Sequence, residues 1–286
     1  MVVKKHTPTV RLRRLAGELR RLRDTAGFSR EDVTEATGIN DSTLYRIETA
    51  RTRPQKRTLL TLLKHYAVEE QQREHLVALS KESVEQGWLR GFHSDLPEEY
   101  TAYISFEAEA LGVRNYESLF IPGLLQTEDY ARAVIRGVLP MANQQEVEHR
   151  VQARMERQHL LGKEQPLKLW VIVDEAALRR LVGGSKVMKA QLQHLLDVTR
   201  EPHVTLQVIP FSTGAHAGMP GSFVLMDFAD PMDTDLIYID SMAGDLFLES
   251  EADVSRYSTI FDNLRAVALS PDSSVELVAK IAREIE

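Results

Sequence analysis

Cationic side chains are concentrated at the beginning of this 286-residue chain, where they could bind phosphate groups. Residues 1–66 contain 15 Lys and Arg against 7 Asp and Glu, a local net charge of +8, although the whole chain carries −7. The remaining 220 residues therefore carry −15. A basic segment joined to an acidic remainder presents one positively charged surface to polyanions. This distribution favours recognition of a polyanion such as nucleic acid.

Short amphipathic helices must position these cations. Leucines every three or four residues between positions 12 and 22 predict a first helix over residues 11–23, with Gly27 after its end. Ser29 is placed to cap a second helix, and Gly38 is placed to end it. The second helix is therefore short, and the next segment begins directly after Gly38.

The third helix has the most informative pattern. Asn40 or Asp41 can cap it, and Leu44 and Ile47 fall on its inner side. Its outer side is polar and consists of Asp41, Ser42, Thr43, Tyr45, Arg46 and Thr49. Two short helices joined by a glycine-containing turn, the second with a polar outer side, are typical of a helix-turn-helix.

These residues resemble the Cro and phage-repressor (Xre) class of helix-turn-helix domains. The resemblance rests on Arg23, Gly27, Arg30, Val33, Gly38, Leu44, Ile47, Glu48 and Pro54. It implies that Arg23 pairs with Glu48. The sequence departs from the class at Thr34, where alanine is usual, which would loosen a helix crossing slightly. It departs again at Ala50, where glycine is usual, and alanine is less favourable in a left-handed helix end.

The resemblance also implies the contacts to DNA. Asp41, Ser42 and Arg46 would reach base edges, with Thr43 and Tyr45 beside them. Arg46 is the strongest candidate, because one guanidinium can bond both O6 and N7 of a guanine. Phosphate contacts would come from Arg30, Asn40, Arg51, Arg53, Lys56 and Arg57. The alternative is a merely solvated basic surface, which we disfavour because these cations coincide with the turn, the caps and the buried pattern.

Polar and glycine-containing sequence separates this segment from the rest of the chain. Residues 59–66 supply a fourth apolar stripe, and residues 70–86 are predicted to form a further helix, followed by Gly87, Gly91 and Pro97. We therefore expect a helix-turn-helix DNA-binding domain over residues 1–67 and a helical linker over 68–98. Residues 99–286 would form a sensor and dimerisation domain.

Alternating and helical patterns together predict an α+β fold for this second domain. Helices are expected at 99–111, 127–138, 144–161, 254–269 and 275–285, with about two more between 175 and 199. Strands are expected at 167–173, 204–209, 222–228 and 236–239, with a weaker one at 246–248. The long connection between the first two strands allows a parallel crossover, whereas short turns favour antiparallel pairing afterwards. The prediction is a mixed sheet of about five strands covered by helices.

Residues 100–286 resemble the large C-terminal domain of actinobacterial antitoxin-like transcriptional regulators. The motifs that carry the resemblance are Glu107–Ala110, Pro122–Thr127 with Tyr130-Ala131, Arg154 with Arg157-Gln158, Asp174–Leu178 and Gly214–Gly218. The resemblance implies a DNA-binding regulator, often encoded beside a small partner protein. It implies no particular ligand.

Three arginines are the main candidates for ligand or partner binding in this acidic domain. Arg150, Arg154 and Arg157 are spaced by four and three residues and so share one side of a helix. They could receive an anionic ligand or an acidic partner surface. The alternative, which we favour modestly, is ordinary surface pairing with Glu146, Glu148 and Glu156.

Asp174 and Glu175 end a predicted strand, where open α/β sheets tend to place their sites. Paired carboxylates could bind a metal or perform acid-base chemistry, but acidic residues also stabilise a helix N-terminus without further function. His216 stands on a glycine-flanked loop with no second ligand at metal spacing. We therefore favour structural roles here, and expect no catalytic residues, metal or cofactor.

Composition bounds the remaining possibilities. The chain has 43% hydrophobic and 27% charged residues and no cysteine, which excludes disulfides and thiolate zinc sites. No apolar run approaches a membrane span, and residues 1–8 contain no signal-like stretch, so we expect a cytoplasmic protein with no membrane partner. The leading hypothesis is a transcriptional regulator, with repressor as the expected type, that binds a palindromic operator in double-stranded DNA as a homodimer. The alternative is an antitoxin-like protein that chiefly docks a small protein. An enzyme built on Asp174 and Glu175 is the weakest hypothesis.

Overall fold

The computed structural model describes residues 10–82, 96–229, 233–242 and 244–285. The predicted helical residues 83–86, the glycines at 87 and 91 and the first eight residues lie outside this range. The described chain divides into two compact units. The first contains six helices and Asp233, and the second contains the sheet with the remaining helices.

The first unit is entirely helical. Its helices are α1 (Val10–Thr25), α2 (Arg30–Thr37), α3 (Asp41–Glu48), α4 (Lys56–His65), α5 (Glu70–Glu82) and α6 (Glu98–Glu109). One apolar cluster contains residues from all five helices α1 to α5, and it buries Leu15, Leu19, Val33, Leu44 and Ile47 almost completely. The predicted inner sides of α1 and α3 are confirmed, because the leucines of α1 and the Leu44–Ile47 pair both face this cluster.

Local caps fix the boundaries of the short helices. Ser29 accepts a hydrogen bond from Asp32 N at 3.1 Å, and the Asp32 carboxylate accepts one from Ser29 N at 2.8 Å. This reciprocal capping box begins α2. Gly38 ends α2 at φ +73°, a left-handed conformation that glycine adopts without steric cost. Both boundaries match the sequence prediction.

A six-stranded mixed sheet forms the centre of the second unit. Its strands are β1 (Ala110–Glu117), β2 (Lys168–Asp174), β3 (Val204–Ile209), β4 (Phe223–Phe228), β5 (Leu236–Ile239) and β6 (Leu246–Leu248), in the order β3-β2-β1-β4-β5-β6. β1, β2 and β3 pair in parallel, and β4, β5 and β6 continue antiparallel. The predicted mixed sheet with its parallel and antiparallel parts is confirmed.

The strand missing from the sequence prediction is β1. The helix expected over 99–111 ends at Glu109, and β1 begins at the next residue and lies between β2 and β4. Gly112 and Asn115 interrupt its apolar pattern, so it lacks the branched, alternating composition of an obvious strand. The sheet therefore has six strands, one more than expected.

In the described part of the chain, six α-helices accompany the sheet: α7 (Glu128–Val138), α8 (Gln144–Arg157), α9 (Glu175–Arg179), α10 (Ser185–Val198), α11 (Glu251–Val267) and α12 (Pro271–Glu284). One sheet face contributes Tyr116, Ile172 and Leu225 to a cluster with Phe261 and Leu264 of α11. α12 packs against β3 and α10. Alternate residues of the strands are thus buried on both faces, as expected for a sheet covered by helices.

Candidate nucleic-acid interface

The turn between α2 and α3 fixes where the polar side of α3 points. Asn40 caps α3, because its Oδ1 accepts hydrogen bonds from Ser42 N at 2.9 Å and from Ser42 Oγ at 2.7 Å. Of the two candidate caps, Asn40 and Asp41, the structure therefore selects the first. Leu44 and Ile47 anchor the opposite side of α3 in the apolar cluster. The polar side consequently faces solvent.

The solvent-facing side of α3 contains the residues predicted to reach bases. Ser42, Tyr45 and Arg46 are exposed, while Asp41 and Thr43 are partly buried. The Arg46 side chain lies along its own helix, with Nε donating to Ser42 O at 3.3 Å. Because, in the described part of the chain, its hydrogen bonds go to one backbone carbonyl and one hydroxyl, this guanidinium keeps most of its five donors for another partner.

Tyr45 is held between two arginines. The guanidinium carbon of Arg30 lies 5.2 Å from the Tyr45 ring centroid, and that of Arg51 lies 5.4 Å from it. Arg30 Nε also lies 3.4 Å from Asp41 Oδ1. Cation–π contact orients both guanidinium groups at the edge of α3. The structure thus brings four of the predicted DNA-contacting residues together.

Further cations follow α3 without acidic partners. Arg53, Lys56 and Arg57 are exposed, and within the described residues none of them forms an ion pair. Lys56 and Arg57 open α4, so they stand next to the loop that leaves α3. Unpaired exposed cations cost little to bring to a phosphate, because no existing ion pair must be broken.

A left-handed residue ends α3 and directs this loop. Ala50 has φ +55°, its N–H bonds Ile47 O at 3.1 Å, and Arg51 N bonds Arg46 O at 2.8 Å. This is the Schellman arrangement, which glycine usually occupies. The chain therefore keeps the left-handed conformation at Ala50 despite the steric cost of its Cβ.

The ion pair that the family resemblance implied is present. Arg23 Nε donates to Glu48 Oε1 at 2.7 Å, and Arg23 also donates to Phe28 O at 2.9 Å. The side chains of Arg23 and Glu48 are only 11% and 5% exposed. The hydrogen bond to Glu48 raises the pKa of the Arg23 guanidinium, with burial opposing it. This pair fixes the end of α3 to the end of α1.

Several α1 cations are engaged inside the first unit rather than free for phosphates. Arg11 lies 2.6 Å from Glu109 of α6, and Arg14 Nε donates to the buried Asp233 carboxylate at 3.2 Å. The Arg13 guanidinium lies over the Phe106 ring. The positive charge available to a polyanion is therefore concentrated around α3 and the start of α4.

In the second unit, sequence motifs that are far apart in the chain converge on one turn. Arg154 donates to Gln126 Oε1 at 2.9 Å, and Gln158 Nε2 donates to Gln126 O at 2.6 Å. Gln126 Nε2 in turn donates to Ile121 O at 2.7 Å. Arg154 of α8 and Gln158, the residue after α8, thus hold the turn after Pro122 in place.

The three arginines of α8 have different environments. Arg150 pairs with Glu146 at 3.0 Å, Arg154 is partly buried against Gln126, and Arg157 is only 4% exposed beside Gly123. The expected pairing with glutamates therefore holds for Arg150. The other two glutamates bind elsewhere: Glu148 pairs with Arg132 and Glu156 with His159.

Glu117 ends β1 near these arginines, and the sequence analysis did not single it out. Burial raises its pKa to about 7, hydrogen bonds from Ser222 and Asn115 and the charge of Arg154 oppose that shift, and Asp240 adds to it. The residue lay inside the undetected strand β1, which is why no pattern identified it. A group that titrates near neutral pH is unusual for a glutamate.

Asp174 and His216 meet although 42 residues separate them. His216 Nε2 lies 3.2 Å from Asp174 Oδ2, and Gly218 N donates to His216 Nδ1 at 3.2 Å. Asp174 also caps α9 by accepting from Ala176 N at 2.8 Å, so the helix N-terminus interpretation holds. In the sequence, no second ligand stands at metal-binding spacing from His216. In the folded protein, Asp174 brings a carboxylate next to it.

Two absences concern the described residues alone. They contain no group of three or more His, Cys, Asp or Glu side chains arranged to hold a metal ion. They also contain no helix that combines the length and apolar composition needed to cross a bilayer.

The fold of the first unit and the exposed polar side of α3 define a helix-turn-helix DNA-binding domain. Comparison with known families agrees, because residues 14–76 match a family described as "Helix-turn-helix domain". Residues 100–280 match the family described as "Domain of unknown function (DUF5753)", and the chain belongs to that family. No curated protein and no solved structure matches the chain. The helix-turn-helix domain points to a DNA-binding regulator of transcription rather than an enzyme.

Proposed function

We propose that this protein is a transcriptional regulator of the Xre type that binds a roughly palindromic operator as a homodimer. The observation that carries the proposal is the exposed polar side of α3 with Ser42, Tyr45 and Arg46. It is followed by Arg53, Lys56 and Arg57, which form no ion pair among the described residues. A helix with these properties suits the major groove, whose base edges it would read while the neighbouring cations bind phosphates.

Different residues serve affinity and specificity in this proposal. Arg46 would swing away from its helix to bond a guanine, a rotamer change that is common on binding. Asp41, Ser42, Thr43 and Tyr45 would complete the base-facing surface. The phosphate contacts would come from Arg30, Asn40, Arg51, Arg53, Lys56 and Arg57.

The dimer follows from the size of the first unit. A single small module makes too few contacts for tight specific binding, and two-fold related modules overcome this by binding two half-sites. The second unit would supply the dimer contact and sense a ligand or a partner.

Competition binding with Arg46→Ala, Arg53→Ala and the exposed Arg200→Ala control tests the two roles. An operator isolated by selection is labelled and competed with mutated operators at several salt concentrations. Arg46→Ala should reduce discrimination at one base pair by about 1–3 kcal/mol. Arg53→Ala should weaken all sequences alike and reduce the salt slope by roughly one. Arg200→Ala, a substitution in the second unit, should change neither quantity.

The proposal fails if Arg46→Ala and Arg53→Ala lose the same affinity on every sequence. It also fails if the wild-type protein prefers no duplex over random competitor at low salt.

For sensing, we propose that Arg150, Arg154 and Arg157 bind an anionic ligand or partner group. The Nε atoms of Arg150 and Arg154 are buried and make no hydrogen bond among the described residues, which leaves each side chain with unused donor capacity. Buried donors of this kind favour a compact anion. Arg154→Gln should weaken the response of DNA binding to such an anion more than the exposed Arg136→Gln does, and equal responses would refute this role.

Docking of a small protein, as in an antitoxin, is the second candidate. It is favoured by Val138 and Met141, which are 57% and 94% exposed near the end of α7. Large apolar side chains at such exposure suit a protein contact. Val138→Glu with Met141→Glu should abolish co-purification of the partner from the native host while leaving operator binding intact. Unchanged co-purification would refute this docking surface.

A further inference from the structure

An open cleft lies on the second unit at the amino-terminal ends of β1, β2 and β3. Its volume is about 510 Å³, which is within the range of small-molecule sites. Its lining includes Arg114, Lys168, Trp170, His203, Thr205 and Asp227. Glu117 and the arginines of α8 do not line it, so this is a separate site.

A glycine on β1 lets the Asp227 carboxylate lie across part of the floor of the cleft. Asp227 of β4, Gly112 of β1 and Lys168 of β2 lie side by side in the sheet. A Cβ at position 112 would lie 2.6 Å from Asp227 Oδ2, so the Asp227 carboxylate packs directly against Gly112 and would have to move if position 112 carried a side chain. Two inter-strand spacings, roughly 10 Å, separate the backbones of Lys168 and Asp227. The Asp227 carboxylate therefore forms one edge of the floor, and a flat molecule would lie beside it, toward Lys168 and Trp170.

Trp170 supplies a rigid apolar wall beside this floor. It pairs with Arg114 of β1 and Thr205 of β3, which places it in the next row of the sheet. Its Nε1 donates to Gln207 at 2.9 Å, and the Arg265 guanidinium lies 5.1 Å from its ring centroid. Because these contacts hold the indole in place, little freedom is lost when a ring packs on its uncovered part.

The charges around the cleft leave one cation unpaired. Arg114 Nε lies 3.6 Å from Asp227 Oδ1, so these two charges largely offset each other. Lys168 is exposed and, among the residues that the structure describes, has no acidic partner. A single carboxylate would complement Lys168, whereas a second one would find no further unpaired Lys or Arg in the lining among the described residues.

We infer that this cleft binds a planar aromatic monocarboxylate, with the ring against Trp170 and the carboxylate on Lys168 Nζ. The binding does not depend on recognition of DNA, so it can be tested on the full chain alone.

Isothermal titration with 1-naphthoate and its uncharged analogue 1-naphthamide tests the inference. Naphthoate should bind with a dissociation constant on the order of 0.1 mM, and the amide about tenfold more weakly. Lys168→Glu should weaken naphthoate binding about tenfold or more, because a charge-assisted contact is replaced by repulsion. Lys163→Glu, an exposed substitution outside the cleft, makes the same charge change and should alter binding less than about twofold. Thr205→Phe should abolish binding by filling the cleft.

Three results would overturn the inference. The first is no saturable binding at naphthoate concentrations up to about ten times the expected dissociation constant. The others are equal affinities for the acid and the amide, and equal effects of Lys168→Glu and Lys163→Glu on naphthoate binding. Because Lys168 is exposed, its substitution leaves the fold intact, and the result does not hinge on the larger Thr205→Phe change.

Discussion

Single residues differ in whether they fix the fold or remain available for binding. Arg23 and Arg46 both lie in the first unit, yet Arg23 is buried against Glu48, whereas the Arg46 side chain is exposed and, among the described residues, hydrogen-bonds within its own helix. The sequence could predict the Arg23–Glu48 pair because a family resemblance implied it. It could not predict the Asp174–His216 contact or the raised pKa of Glu117, because both depend on residues that only the tertiary fold brings together.

Breaking the Arg23–Glu48 pair should destabilise the first unit more than breaking a surface pair. We expect Glu48→Gln to lower the free energy of unfolding by about 2–4 kcal/mol, since it leaves a buried guanidinium without its counter-ion. Glu18→Gln is the matched control, because Arg21 and Glu18 also lie 2.7 Å apart but are 46% and 21% exposed. That change should cost less than about 1 kcal/mol. Similar losses in chemical denaturation would contradict the assigned role of Glu48.

Glu117 should make stability depend on pH near neutrality. Its folded-state pKa of about 7 exceeds the usual 4.5, so folding takes up a proton between these values. The stabilisation is complete below about pH 4.5 and disappears as the pH rises through 7. The difference in free energy of unfolding between Glu117→Gln and wild type should therefore rise by about 1–2 kcal/mol, in favour of the variant, as the pH rises from 5 to 8. This figure allows for the partial exposure of Glu117. Parallel stability profiles of the two proteins across this range would show that Glu117 titrates normally.

Helix ends decide how the elements of the first unit are arranged. Ser29, Gly38 and the Asn40 alternative were predictable, because capping depends on local residue types. Strands with branched residues were also predictable, and 204–209, 236–239 and 246–248 match the structure. β1 could not be predicted, because Gly112 and Asn115 interrupt the apolar alternation that indicates a strand. Only its pairing with β2 and β4 shows that this segment is a central strand. The domain boundaries at residues 67 and 98 stay a prediction.

Two alanines in left-handed conformation provide a test at the level of elements. Ala50 ends α3 at φ +55° and Ala67 follows α4 at φ +53°, and each occupies a position that favours glycine. Ala67 is exposed, so Ala67→Gly should raise the free energy of unfolding by about 0.5–1 kcal/mol through relief of strain. Ala50 is only 5% exposed, so Ala50→Gly should gain less, because a buried methyl group is lost. Chemical denaturation in which Ala67→Gly destabilises the protein would contradict the strain assigned to that helix end.

The whole molecule combines a basic first unit with an acidic remainder. Residues 1–66 carry +8 and the other 220 carry −15, so attraction to DNA is confined to one part of the chain. Within that part, pairing of Arg11, Arg14 and Arg23 leaves the cations around α3 and the start of α4 as the attractive surface. We therefore expect the protein to bind DNA in a defined orientation, with α3 toward the duplex.

Selection from a random duplex library, followed by sequencing of the bound fragments, tests the central claim most directly. The full-length protein should enrich an inverted repeat whose half-site centres are about 10 base pairs apart, one turn of DNA. Arg46→Ala, selected in parallel, should lose preference at one position in each half-site and retain the spacing. Recovery of unrelated sequences with no shared motif would contradict the account, because the exposed side of α3 would then read no bases.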